Sequence, residues 1–239
     1  MRLKAFLFLL VGILFAGAAV AQGIQTPPPV PMLDPENTLL LDLSNGGRVA
    51  IQLRPDVAPR HVERVKTLAR RGFYNGLAFH RVIEGFMAQG GDPKGDGTGG
   101  SDLPDLAAEF NGLPHVRGAV SAARTENPNT ANSQFFIMLA PKLSLDGQYT
   151  VFGRVVGGMS FVDAIERGEP PAQPTRILQA SLAADNRPPP PAGAAPPAAA
   201  PRTDVTVLPG AHAAGPALPP PPSSRAPDPP APKHKPRPQ

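Results

Sequence analysis

The chain has 239 residues and a formal charge of +4, with 34 prolines, 24 glycines and no cysteine. The missing cysteine excludes disulfides, a cysteine nucleophile and a lipid-modified cysteine anchor. The charge sits at the ends: Arg2 and Lys4 carry +2 and the segment from Arg187 carries +4, which leaves −2 on the stretch between. The foldable part therefore has no basic footprint for nucleic acid.

Residues 1–21 read as a secretory signal peptide. Arg2 and Lys4 precede an apolar run, and small residues end it at Ala19-Val20-Ala21. Cleavage there starts the mature chain at Gln22, leaves no membrane span and places the protein in the periplasm. A retained anchor is the alternative, since the apolar run is near the lower limit for a span. Residues 22–36, with "TPPPVP", form a proline-rich linker.

Residues 37–185 are the size of one domain. "TLLLDL" and "RVAIQL" flank Ser44-Asn45-Gly46-Gly47 and predict a hairpin. A helix follows over "APRHVERVKTLARRG", with Val62, Val65, Leu68 and Ala69 at helical spacing. Asp56 lies upstream of it, Pro59 sits in its first turn and Gly72 ends it. Five more short strands are expected in "AFHRVI", "GFMAQGG", "GAVSAA", "SQFFIML" and "TVFGRVV". "MSFVDAIERG" predicts a second helix with Met159, Phe161 and Ile165 on one face and Gly168 as its stop, and "TRILQASLA" a closing strand. About eight strands with two helices favour a mainly β, mostly antiparallel closed barrel or sandwich. Residues 186–239, rich in proline and alanine and without aromatic residues, cannot bury enough surface to fold and are expected to form a disordered, semi-stiff tail.

Several motifs lead nowhere. "GDGTGG" spells a dinucleotide loop, but Pro104 follows and no helix starts there, so a surface loop is expected. His61, His80, His115, His212 and His234 lack ligand spacing, so neither a metal nor another cofactor is expected. Ser121 and Ser133 sit in no nucleophile elbow. What remains is a set of residues that do not titrate near neutrality: Arg81, Phe86, Met87, Gln89, Gln134, Phe136 and Leu145. A barrel core with one snorkelling arginine is the plain reading. Against it, a period of two in "AFHRVI" puts Phe79, Arg81 and Ile83 on one face, an arrangement suited to a ligand-binding barrel face.

"FHRVIEGFMAQGGDPKGDGTGG", "ENPNTANSQFFIMLA" and "LSLDGQYTVFGRVVGGM" resemble, in order and spacing, three signature blocks of the cyclophilin family of peptidyl-prolyl isomerases. The likeness runs from about Asn37 to Ala183. It implies an eight-stranded antiparallel barrel capped by two helices, acting on unfolded or partly folded X-Pro polypeptides as a monomer. It implies catalysis by Arg81 with Gln89, Phe86 and Phe136, and substrate binding by Met87, Ala123, Arg124, Gln134, Leu145 and Tyr149. Phe86, Met87, Phe136 and Leu145 would line a proline pocket, while Gln89 and Gln134 orient the peptide. Ala123 and Arg124 would bind the residue before proline, largely through backbone. The loop "AARTENPNTANSQFF" is closer to bacterial than to eukaryotic members. Ser144 replaces the eukaryotic pocket tryptophan and Tyr149 the pocket histidine, both expected at the pocket rim. The rival reading is a catalytically weak proline-peptide binding module or envelope scaffold.

Overall fold

The computed structural model describes residues 34–191, 193–195 and 197. The expected signal peptide, nearly all of the expected linker and most of the expected tail lie outside the described residues. Among the described residues no helix is long and apolar enough to cross a membrane.

Alternating apolar residues make the strands. Strand β1 (Thr38–Leu43) and β2 (Arg48–Leu53) pair antiparallel, with Leu39 opposite Ile51 and Leu41 opposite Val49, all buried. Gly46, at φ +87°, lets the connecting turn close with Leu43 N donating to Gly47 O at 2.8 Å. The remaining strands are β3 (Arg81–Ile83), β4 (Met87–Gly90), β5 (Ala119–Ala122), β6 (Phe135–Met138), β7 (Val151–Gly157) and β8 (Ile177–Leu182). All pairings are antiparallel, in the order β3-β4-β6-β5-β7-β2-β1-β8. The edges meet just ahead of β3 and β8. There Ala78 bridges Arg176, Phe79 N donates to Thr175 O at 2.9 Å and Ile177 N to Leu77 O at 2.9 Å. This seam curls the sheet into the expected mainly β, eight-stranded barrel.

Helix α1 (Pro59–Arg70) packs Val62, Val65, Leu68 and Ala69 into the barrel core. Asp56 does not cap it, being paired with Arg54. Glu109 does so from across the fold, accepting from the backbone N–H of Arg60 at 3.2 Å and His61 at 3.0 Å, donors the helix itself cannot satisfy. Gly72, at φ +71°, ends it as read.

The second helix is shorter than its sequence pattern. Helix α2 spans Met159–Asp163 and buries Val162, while Phe161 is exposed and lies over Gly47. Ile165 reaches the core from outside the helix. Glu166 N bonds to Thr175 Oγ1, and Gly168 exchanges two backbone bonds with Val82, so tertiary partners outbid the next helical turn. Phe79 also departs from the alternation: β3 begins only at Arg81, and the Phe79 ring turns into the core, edge-to-face with Phe135.

Candidate active site

Strands β3, β4, β6 and β5 lie side by side, so their registers decide which side chains share a face. One cross-strand row reads Arg81–Gln89–Phe136–Ser121, and a parallel row reads Ile83–Met87–Met138. The intervening row, Val82–Ala88–Ile137–Val120, belongs to the barrel core. The first two rows therefore occupy the outer face. An outer sheet face is ordinarily polar, yet this one carries a second apolar cluster of Phe86, Met87, Phe136, Leu145, Tyr149 and their neighbours, separate from the core.

Three segments build that cluster around the strands. A tight turn with Gly85 at φ +65° links β3 to β4 and buries Phe86, whose O accepts from Leu139 N at 2.8 Å. The 3-10 turn Leu143–Leu145 buries Leu145 and leaves Ser144 exposed. Tyr149 is not a rim residue: it is 7 % exposed, with its ring edge-to-face to Phe136 at 5.6 Å. The Arg124 guanidinium lies over the Tyr149 ring at 4.4 Å and also donates to Gln148 O at 2.9 Å. Ala123 joins the same cluster, and its N–H donates to Gln134 O at 3.0 Å.

The polar residues are braced. Gln89 Nε2 donates to Gln134 Oε1 at 2.9 Å, and Gln134 Nε2 donates to Gly97 O at 2.9 Å and Gly99 O at 2.8 Å. The "GDGTGG" stretch is thus a loop that fixes a site glutamine. The loop hangs on buried Asp92, which accepts from the N–H groups of Lys94, Asp96 and Gly97 at 2.8, 3.0 and 2.6 Å. Arg81, largely buried, donates from Nε to Glu169 Oε2 at 2.7 Å. Every site residue singled out in the sequence belongs to this one assembly.

Sequence reasoning missed what lies beneath it. His115 is fully buried, stacked on Phe136 with centroids 6.1 Å apart. Its Nδ1 is 2.8 Å from Asp146 Oδ1 and its Nε2 3.0 Å from Ser121 Oγ. Burial pushes the imidazole below its ordinary value, against the pull of Asp146. The neutral ring then donates from Nδ1 and accepts from Ser121. These are the contacts of a nucleophile triad, but Ser121 is fully buried, so the chain braces Phe136 and does not attack a substrate. Asp146 lies 31 residues from His115, and no local spacing signals the pair.

The family model for cyclophilin-type peptidyl-prolyl cis-trans isomerases matches residues 38–182. The chain belongs to that family. It is 50 % identical over 190 residues to a probable peptidyl-prolyl cis-trans isomerase of Brucella suis, covering 73 % of this chain and 96 % of the relative. Peptidyl-prolyl cis-trans isomerase B of Bacillus subtilis is 43 % identical over 129 residues, covering 53 % and 89 %. Among solved structures, the cyclophilin AquaCyp293 of Hirschia baltica superposes with a TM-score of 0.60 at 31 % identity, covering 65 % of this chain and 77 % of that one. A cyclophilin of Cryptosporidium parvum, crystallised in the presence of the dipeptide Ala-Pro, gives 0.57 at 27 % identity over 61 % of this chain and 98 % of its own. The chain is accordingly a peptidyl-prolyl cis-trans isomerase.

Proposed function

We propose that this isomerase accelerates X-Pro rotation non-covalently, with Arg81 as the catalytic donor. The observation that carries this reading is the row Arg81–Gln89–Phe136, which puts a cation beside an apolar outer-face cluster. Rotation about an X-Pro bond faces a barrier of ~20 kcal/mol because amide resonance must be lost. In the twisted state the proline nitrogen becomes pyramidal and gains a lone pair. A guanidinium directed at that nitrogen binds the twisted state better than either planar one, which is the requirement for catalysis. Phe86, Met87, Phe136 and Leu145 grip the ring. Gln89, Gln134 and the backbone at Ala123 and Arg124 hold the chain on its N-terminal side. The Ala-Pro dipeptide used with the Cryptosporidium cyclophilin is the smallest ligand of this kind.

Arg81→Ala is expected to lower kcat with little change in peptide affinity, by a factor of roughly a hundred to a thousand, or ~3–4 kcal/mol. Arg81→Lys recovers only part, because a flexible ammonium does not reproduce the planar fork. A folded Arg81→Ala protein of full activity would remove Arg81 from the mechanism and leave proline-peptide binding as the better account of this site.

We infer further that the substrates are exported polypeptides in the periplasm, from the signal-like residues 1–21. Intact mass of the exported protein should show Gln22 as the first residue; an uncleaved start counts against it.

A further inference from the structure

Arg81 is not held by its own strand alone. After α2 the chain returns to the edge of β3, where Val82 N donates to Gly168 O at 2.8 Å and Gly168 N to Val82 O at 2.9 Å. Gly168 has φ +146°, and a Cβ there would meet Pro171 Cα at 2.5 Å, so this return is built on glycine. A charge pair crosses the seam on either side of the bridge: Arg167 with Glu84, and Glu169 with Arg81.

We propose that Glu169 is a positioning residue for Arg81, its carboxylate holding the guanidinium by Nε in the orientation used for isomerisation. This rests on the role given to Arg81 above. Glu169 is half exposed, and an ion pair so placed contributes little to folding stability, so the fold does not explain it. The arginine side chain, by contrast, has several rotatable bonds, and a carboxylate on Nε selects among the orientations the guanidinium can take beside the apolar cluster.

Two effects of the carboxylate oppose each other. It fixes the fork, and it offsets part of the positive charge on which catalysis depends. Solvent decides between them. Water screens the charge of a half-exposed carboxylate, and the bond at Nε engages one donor of a group that carries several. Orientation is not screened: misplacing a catalytic group by ~1 Å costs up to about a hundredfold in rate.

The test measures kcat and KM on an X-Pro peptide, with a thermal melt, for the full chain and four variants: Glu169→Ala, Glu169→Gln, Arg81→Ala and the double alanine variant. Glu169→Ala is expected to lower kcat roughly tenfold with KM and Tm little changed. Glu169→Gln, which keeps an oxygen acceptor in place without the charge, recovers most of the loss. In the Arg81→Ala background the Glu169→Ala change has no further effect, as expected of a residue that acts through another. Unchanged or raised activity in Glu169→Ala, with Arg81→Ala impaired, would overturn the positioning role alone. So would a Glu169→Ala loss that persists without Arg81, or a glutamine variant as poor as alanine. Full activity in Arg81→Ala would instead overturn the reading on which the proposal rests.

Discussion

His61, His80 and His115 are all buried, and each imidazole is pushed below its ordinary value chiefly by loss of water. Glu109 pulls the other way on His61, Asp92 and Asp96 on His80, and Asp146 on His115, without reversing the shift. As pH falls below about 6.5 the unfolded chain takes up protons that these folded sites refuse. Stability is therefore full above that pH and lost as pH falls toward the depressed values. The slope is up to ~1.4 kcal/mol per pH unit for each histidine. Thermal melts from pH 8 to 4.5 should show Tm falling from near pH 6.5. Among the described residues, neither buried ring nitrogen of His80 has a hydrogen-bond partner, so His80→Phe should flatten part of that fall; an unchanged slope would clear His80 of the effect. Activity per folded molecule is expected to behave differently, since the proposed mechanism moves no proton. We expect kcat/KM to be flat from about pH 5.5 to 9; a bell-shaped profile would bring an acid or base into the mechanism.

Among the elements, the loop between β4 and β5 braces the two glutamines of the candidate site. Asp92 gathers three backbone N–H groups, the loop's carbonyls at Gly97 and Gly99 hold Gln134, and Gln134 holds Gln89. Removing the carboxylate takes the charged acceptor from three part-buried N–H groups, at about 2–3 kcal/mol, or roughly 4–12 °C in Tm for a domain of this size. Asp92→Ala should therefore lower Tm by that amount and also lower kcat/KM in assays well below the new Tm. A melting loss with unchanged kinetics would show that the glutamines do not need the loop. Helix α1 shows the same reach across the fold, capped by a glutamate 48 residues beyond His61.

At the scale of the molecule, the described residues form two apolar clusters, one inside the barrel and one outside, sharing strands whose alternate residues serve each. The barrel core and the proposed binding surface thereby lie on opposite faces of β3, β4, β5 and β6. Among the described residues, the chain beyond the 3-10 turn Ala183–Asp185 meets the barrel through two hydrogen bonds. Arg48 Nη2 contacts Arg187 O at 3.5 Å, and Gln179 Nε2 donates to Pro188 O at 3.0 Å. Deleting residues 189–239, which by composition lack core-forming side chains, should leave Tm within about 1 °C and X-Pro turnover within about twofold. A several-fold rise in turnover on truncation would reveal that the tail's own X-Pro bonds compete for the pocket.

The sequence by itself determined the strands, their approximate limits and the first helix, and it named candidate residues that the fold brings together. These depend on local signals: alternation in "RVAIQL", the helical spacing of Val62 to Ala69, and long ordered blocks around Arg81 and Phe136. Tertiary structure decided whatever depends on partners distant in the chain. It cut α2 short where Gly168 pairs with Val82, turned Phe79 inward, buried Tyr149, and set His115 between Asp146 and Ser121. It also brought Glu169 to Arg81 across 88 residues. Periodicity reports which side of an element is apolar. Which distant side chain meets which depends on sheet register and loop closure, and these exist only in the folded chain.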